Sequence, residues 1–150
     1  MLKQQIEQDL KTALLAGDKA RATTLRGLKS VILYAEVAKG ARESGLPEDE
    51  VIALLAKEAK KRQESADLYE RGGSPEKQKA ELEEKALIET YLPKQLSEEE
   101  IKALIDEAMA DLTEVTPQAM GQVIGAVKQK AGAAADGALV ARLVKERLQG

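Results

Sequence analysis

Tyr91-Leu92-Pro93-Lys94-Gln95-Leu96-Ser97-Glu98-Glu99-Glu100 is the stretch that divides this chain. Pro93 has no amide proton to give a helix, and it biases Leu92 away from helical dihedrals, so a helix must close at or before it. Ser97 with Glu100 three positions later forms a capping box, in which the hydroxyl takes the amide proton of the third helical position. Leu96 and Ile101 stand where a hydrophobic staple would fix the angle at which the next helix starts. One helix ends here, a joint follows over residues 93–96, and another helix opens. The expected organisation is an N-terminal unit at 1–92 and a C-terminal unit at 97–150.

Upstream of the joint, four helical stretches follow one another. Leu2, Ile6, Leu10, Ala13 and Leu14 form one stripe that Gly17-Asp18 stops, and Asp18 can cap a second helix reaching about Lys39. In that helix Val31, Ile32, Leu33, Tyr34 and Ala35 are apolar on all sides, which predicts the most enclosed segment of the unit. Pro47 opens a long third helix to about Arg71, and Ser74-Pro75-Glu76 starts a fourth that ends near Leu92. Downstream, three shorter amphipathic helices carry clean stripes: Ile101, Leu104, Ile105, Ala108 and Leu112; Met120, Val123, Ile124 and Val127; and Leu139, Val140, Leu143, Val144 and Leu148. No strand pattern occurs. The fold class is therefore all-α, a four-helix bundle joined to a three-helix bundle.

Composition narrows the function. The chain has 150 residues with no His, Cys, Trp or Phe, and three Tyr are its only aromatics. A Ser-His-Asp or Cys-His nucleophile system and a Cys/His zinc site are thereby excluded. No glycine-rich phosphate loop of either common kind is present. No catalytic residue, metal ligand or cofactor is assigned. No run approaches the ~18 apolar residues of a membrane span, which leaves the cytoplasm as the expected location without a membrane partner. The net charge is −3 but uneven: residues 1–45 carry eight basic and five acidic groups, 46–92 eight and twelve, and 93–150 seven and nine. Tight autonomous nucleic-acid binding usually needs a stronger basic excess, so weak or assisted binding is the expectation, and no DNA partner.

Individual residues stand out against this background. Lys57, Lys60, Lys61 and Arg62 form a basic run whose neighbours Glu58, Glu64 and Asp67 can pair with it. Arg62 lies in an otherwise apolar row and needs a carboxylate from another helix; Glu36, in the row of Leu25, Lys29 and Ile32, is the expected partner. Gly121 and Gly125 are spaced for close helix approach, which reads as packing. Lys128, Lys130, Arg142, Lys145 and Arg147 end the last two helices, where cations also complement the helix dipole. Residues 112–150 carry five basic and three acidic groups. These five residues, with Arg26 and Lys29, are the candidates for contact with a phosphate backbone.

Several phrases in order complete the reading: Leu25-Arg26-Gly27-Leu28-Lys29-Ser30, Lys57 to Ser65, Tyr91-Leu92-Pro93-Lys94-Gln95-Leu96, Met120-Gly121-Gln122-Val123-Ile124-Gly125 and Ala135-Asp136-Gly137. Over essentially the whole chain this resembles the stand-alone YqeY proteins of the GatB/YqeY family. The resemblance implies the same four-plus-three helical architecture and a link to transfer-RNA chemistry. A related helical tail on the B subunit of the glutamine-dependent glutamyl/aspartyl-tRNA amidotransferase contacts tRNA, while catalysis belongs to other domains. The leading expectation is a non-catalytic helical module that binds tRNA or a tRNA-handling enzyme. The alternatives are an amidotransferase-like component, a carbon–nitrogen ligase with glutamine as amido-N-donor active only with partners, and an RNA-independent protein-interaction module. One departure stands out: relatives often carry basic residues before Ala-Asp-Gly, whereas this chain has Gly132, Ala133 and Ala134.

Overall fold

A computed structural model describes residues 1–149. Among these residues the chain is all-α, with no strand. The helices are α1 (Leu2–Ala16), α2 (Lys19–Ala38), α3 (Glu48–Arg71), α4 (Pro75–Glu89), α5 (Glu98–Ala110), α6 (Met120–Ala131) and α7 (Gly137–Gln149), with 3-10 turns at Pro117–Ala119 and Gly132–Ala134. The backbone divides into two compact units, Met1–Leu92 holding α1–α4, and Pro93 onward holding α5–α7.

In the first unit, α1 ends on Gly17 in the left-handed conformation, φ 72°. Its amide donates to the Leu14 carbonyl at 3.2 Å and the Asp18 amide to the Ala13 carbonyl at 2.9 Å, the double closure that glycine permits without strain. Asp18 immediately caps α2, its carboxylate accepting the Arg21 amide proton at 3.1 Å. So short a connection turns α2 back along α1. Ile6, Leu10 and Ala13 of α1, Ala22, Leu25, Leu28 and Ile32 of α2, and Val51, Leu55 and Ala59 of α3 form the core, to which α4 adds Ile88.

The five residues Val31 to Ala35 are not the most enclosed segment. Ile32 is buried, but Leu33 is 41% and Tyr34 75% exposed. α2 turns one face to its neighbours, and an all-round apolar stretch is enclosed only where neighbours surround it. α3 and α4 pair further out than the core reaches. Beyond Ala59 their shared surface is Ala66 together with polar contacts: Arg62 against Glu81 and Glu84, and Lys85 donating to Gln63 at 2.8 Å.

The second unit has one buried stripe per helix: Ile101, Ile105 and Met109; Val123 and Val127; Val140, Leu143 and Val144. The Ser97 hydroxyl oxygen accepts the Glu100 amide proton at 3.1 Å and donates its own proton to the Glu100 carboxylate at 3.2 Å, so the box closes on the hydroxyl. Leu96 packs on this core, and its amide donates to Ala134 at 2.8 Å. Asp136 caps α7 by accepting the Leu139 amide proton at 3.2 Å. Gly121 and Gly125 do not serve helix packing. Both are exposed, and a methyl group on either would meet nothing within 4 Å, because α6 turns Val123 and Val127 inward and the glycines outward. Among the described residues, no helix is long and apolar enough to cross a membrane.

Candidate functional site

The phosphate-contact candidates differ in how free they are. On α7, Arg142 bonds Glu98 of α5 at 3.0 Å and Glu146 at 3.1 Å, and Arg147 bonds Asp106 of α5 at 3.0 Å. Hydrogen bonds to Glu146 and then Glu98 hold the Arg142 guanidinium above its ordinary value, and it stays charged. On α6, Lys130 is paired with Glu107 of α5. Each of these three cations would have to release a carboxylate to take a phosphate. Exposed ion pairs are worth only about 0–1 kcal/mol, so the exchange is feasible, but the local field is partly neutralised beforehand. Lys128 and Lys145 are exposed and enter no ion pair among the described residues.

Lys128 has a particular setting. Its terminal carbon and ammonium nitrogen lie 3.3 Å from where a side chain on Gly137 would start, so it reaches over the first turn of α7. Gly121, Gly125 and Lys128 follow one another at four- and three-residue steps, and so share the solvent side of α6. That side is bare backbone ending in a cation with no ion pair among the described residues. Exposed glycine inside a helix costs about 1 kcal/mol relative to alanine, and no packing here offsets it. Chemically, such a surface lets an anionic chain approach the helix closely and meet a charge at its end.

Arg26 and Lys29 lie on α2 in the first unit, both exposed and outside any ion pair among the described residues. The expected Arg62–Glu36 pair does not form. Arg62 faces α4 and reaches Glu84 at 3.3 Å and Glu81 at 3.5 Å, with Glu58 of its own helix at 3.8 Å. Glu36 is fully buried, and both its oxygens lie 3.0 Å from the Lys3 ammonium. Each residue does meet a carboxylate or an ammonium on another helix, but a row on one helix does not specify which helix is its neighbour. Antiparallel α1 and α2 put Lys3 opposite Glu36, while α3 and α4 put Arg62 opposite the acidic row of α4. Within the same basic run Lys61 is bonded to Glu58 at 3.2 Å, and Lys60 is engaged as well.

A contact that sequence reasoning missed joins Tyr91, at the end of the first unit, to Asp9 on α1, whose carboxylate accepts the phenol proton. Burial, followed by the Asp9 hydrogen bond and charge, pushes the Tyr91 phenol up, and Arg21 pulls it the other way. With the partners 82 positions apart, nothing local in the sequence signals the bond. Among the described residues, no three His, Cys, Asp or Glu side chains are arranged to hold a metal ion. The groove between α5 and α7 is lined by Lys102, Asp106, Glu146 and Arg147 around Ile105 and Leu143, a charged and open surface.

Comparison with known proteins agrees with the order of motifs. The sequence profile of the family described as Yqey-like protein matches residues 3–148. The chain belongs to the YqeY family. The match takes in both helical units, including the exposed glycine face of α6 and the basic positions of α2. No curated protein matches the chain.

Proposed function

We propose that this YqeY-family chain is a non-catalytic module of two helical bundles, four helices and then three, that binds tRNA or a tRNA-handling enzyme in the cytoplasm. The observation that carries the reading is the solvent side of α6, where Gly121 and Gly125 expose backbone and Lys128 has no ion pair among the described residues. A helix that gives up stability at two exposed positions without gaining packing is shaped for something that approaches from outside. Lys128 and Lys145 make the first phosphate contacts. Lys130, Arg142 and Arg147 join by exchanging their carboxylate partners, and Arg26 and Lys29 assist from the first unit. The overall charge of −3 keeps the affinity modest.

The test is recovery of partners on the tagged protein from its native cytosol, with and without ribonuclease. Ribonuclease-sensitive recovery of tRNA is the expected result. Ribonuclease-resistant recovery of amidotransferase subunits, with no tRNA retained, would replace this reading with that of a component acting only in a complex.

A further inference from the structure

The solvent side of α2 is unlike any other surface of the first unit. Lys19, Arg26 and Lys29 are exposed along it, and none enters an ion pair among the described residues. The helix contains a single acidic residue, Glu36, and that one is fully buried against Lys3. All exposed charge over the first three turns therefore has one sign, in a chain whose net charge is negative.

Toward its C-terminal end the same helix exposes Leu33, Tyr34 (75%) and Val37 (57%). One exposed apolar side chain needs no explanation, but three at i, i+1 and i+4 make a patch. Arg26, Ser30 and Tyr34 follow at four-residue steps, so the guanidinium and the phenol ring stand on one line about two turns apart. Between them the surface is low, because Gly27 has open space where a side chain would begin. The other two tyrosines are occupied: the Tyr69 ring lies under Lys77 at 5.7 Å, and Tyr91 is bonded to Asp9. Among the described residues, Tyr34 is the tyrosine whose face is open. A second copy of this chain is a poor occupant, since a twofold contact would set Arg26 and Lys29 against their own duplicates. A polyanion that also offers flat apolar faces fits both halves of the surface.

We infer that the solvent face of α2 is a docking site for RNA with unpaired nucleotides, with Arg26 and Lys29 on backbone phosphates and the Tyr34 ring stacked on an exposed base. The inference rests on the RNA-binding reading above and adds to it a surface on the first unit and a requirement for unpaired bases. Neutralising the cations would remove sequence-independent affinity, and removing the ring would remove affinity only for RNA that can present a base.

The experiment is equilibrium binding of the full chain at low salt to total tRNA and to a blunt RNA duplex of similar length. Three variants are compared: Tyr34→Leu, Tyr34→Phe and the double Arg26→Gln/Lys29→Gln, each with its melting curve, since all these positions are exposed. Tyr34→Leu should weaken tRNA binding roughly 5- to 100-fold while leaving duplex binding unchanged, and Tyr34→Phe should retain wild-type affinity. The double variant should weaken both RNAs and lower the log–log salt slope by roughly 1–2. If the intact protein binds tRNA but all three variants bind it equally well, the α2 site is wrong and the RNA reading stands. If only the cation variant has an effect, stacking is rejected and the inference with it. If the intact protein binds neither RNA, the function reading itself fails, a result visible before any variant is made.

Discussion

Glu36 is a carboxylate with no access to water, held by a lysine whose side chain is 34% exposed. Breaking such a pair on one side leaves a buried charge uncompensated, which costs more than the pair itself contributes. Lys3→Met should therefore destabilise the protein by about 2–3 kcal/mol, discounted for the exposure of the lysine. Adding Glu36→Leu to that variant should recover most of the loss, and urea unfolding of the four members of the cycle checks both statements; additive losses would show that the two residues do not interact. Tyr91 gives a second residue-scale outcome. Its phenol is raised in the folded protein, so below the usual value of about 10 both folded and unfolded chains keep the proton and stability does not respond. Above about pH 10 the unfolded chain releases the proton while the folded chain holds it, and stability falls as pH rises. The drop in urea midpoint between pH 9 and pH 11 should be larger for the native chain than for Tyr91→Phe, and equal drops would deny the coupling. Residue identities alone revealed that Arg62 and Glu36 each need a partner. They did not reveal which partner, because a row on one helix says nothing about which helix lies across from it.

At the scale of elements the sequence was more legible. Pro93, the Ser97–Glu100 box and Asp18 act through chemistry within a few residues of themselves, so the starts and stops they imply could be read directly. Two expectations depended on neighbours and failed for that reason. Val31 to Ala35 is apolar all round but meets partners on one side, and Gly121 with Gly125 has packing spacing but faces solvent. The second case has a consequence that can be measured. Gly121→Ala and Gly125→Ala should each stabilise the protein by about 0.5–1 kcal/mol, because the methyl groups meet nothing and the helix gains propensity. Thermal or urea unfolding decides: a loss of stability in either variant would mean that the glycines do accommodate a neighbouring helix. If the glycine face is an RNA surface, the double variant bearing Gln at both positions should at the same time bind tRNA less tightly, so that stability and function move in opposite directions.

At the scale of the molecule, the candidate surfaces are basic islands on an acidic protein, and their partial neutralisation was invisible in the sequence. Lys130, Arg142 and Arg147 looked like the end of a basic segment; each meets a carboxylate of α5 that lies at least 23 residues away along the chain. Among the described residues, Lys128 and Lys145 are the members of that group without an ion pair. Binding that rests on phosphate contacts releases counterions, and its salt dependence counts the contacts. The direct measurement is tRNA affinity as a function of salt for the native chain and for Lys128→Gln/Lys145→Gln. Affinity of the native chain should be measurable at low salt and fall steeply as salt rises, and the double variant should bind more weakly with a log–log slope smaller by roughly 1–2. Absence of binding by the native chain at low salt, or an affinity indifferent to salt and to both substitutions, would contradict the RNA-binding account.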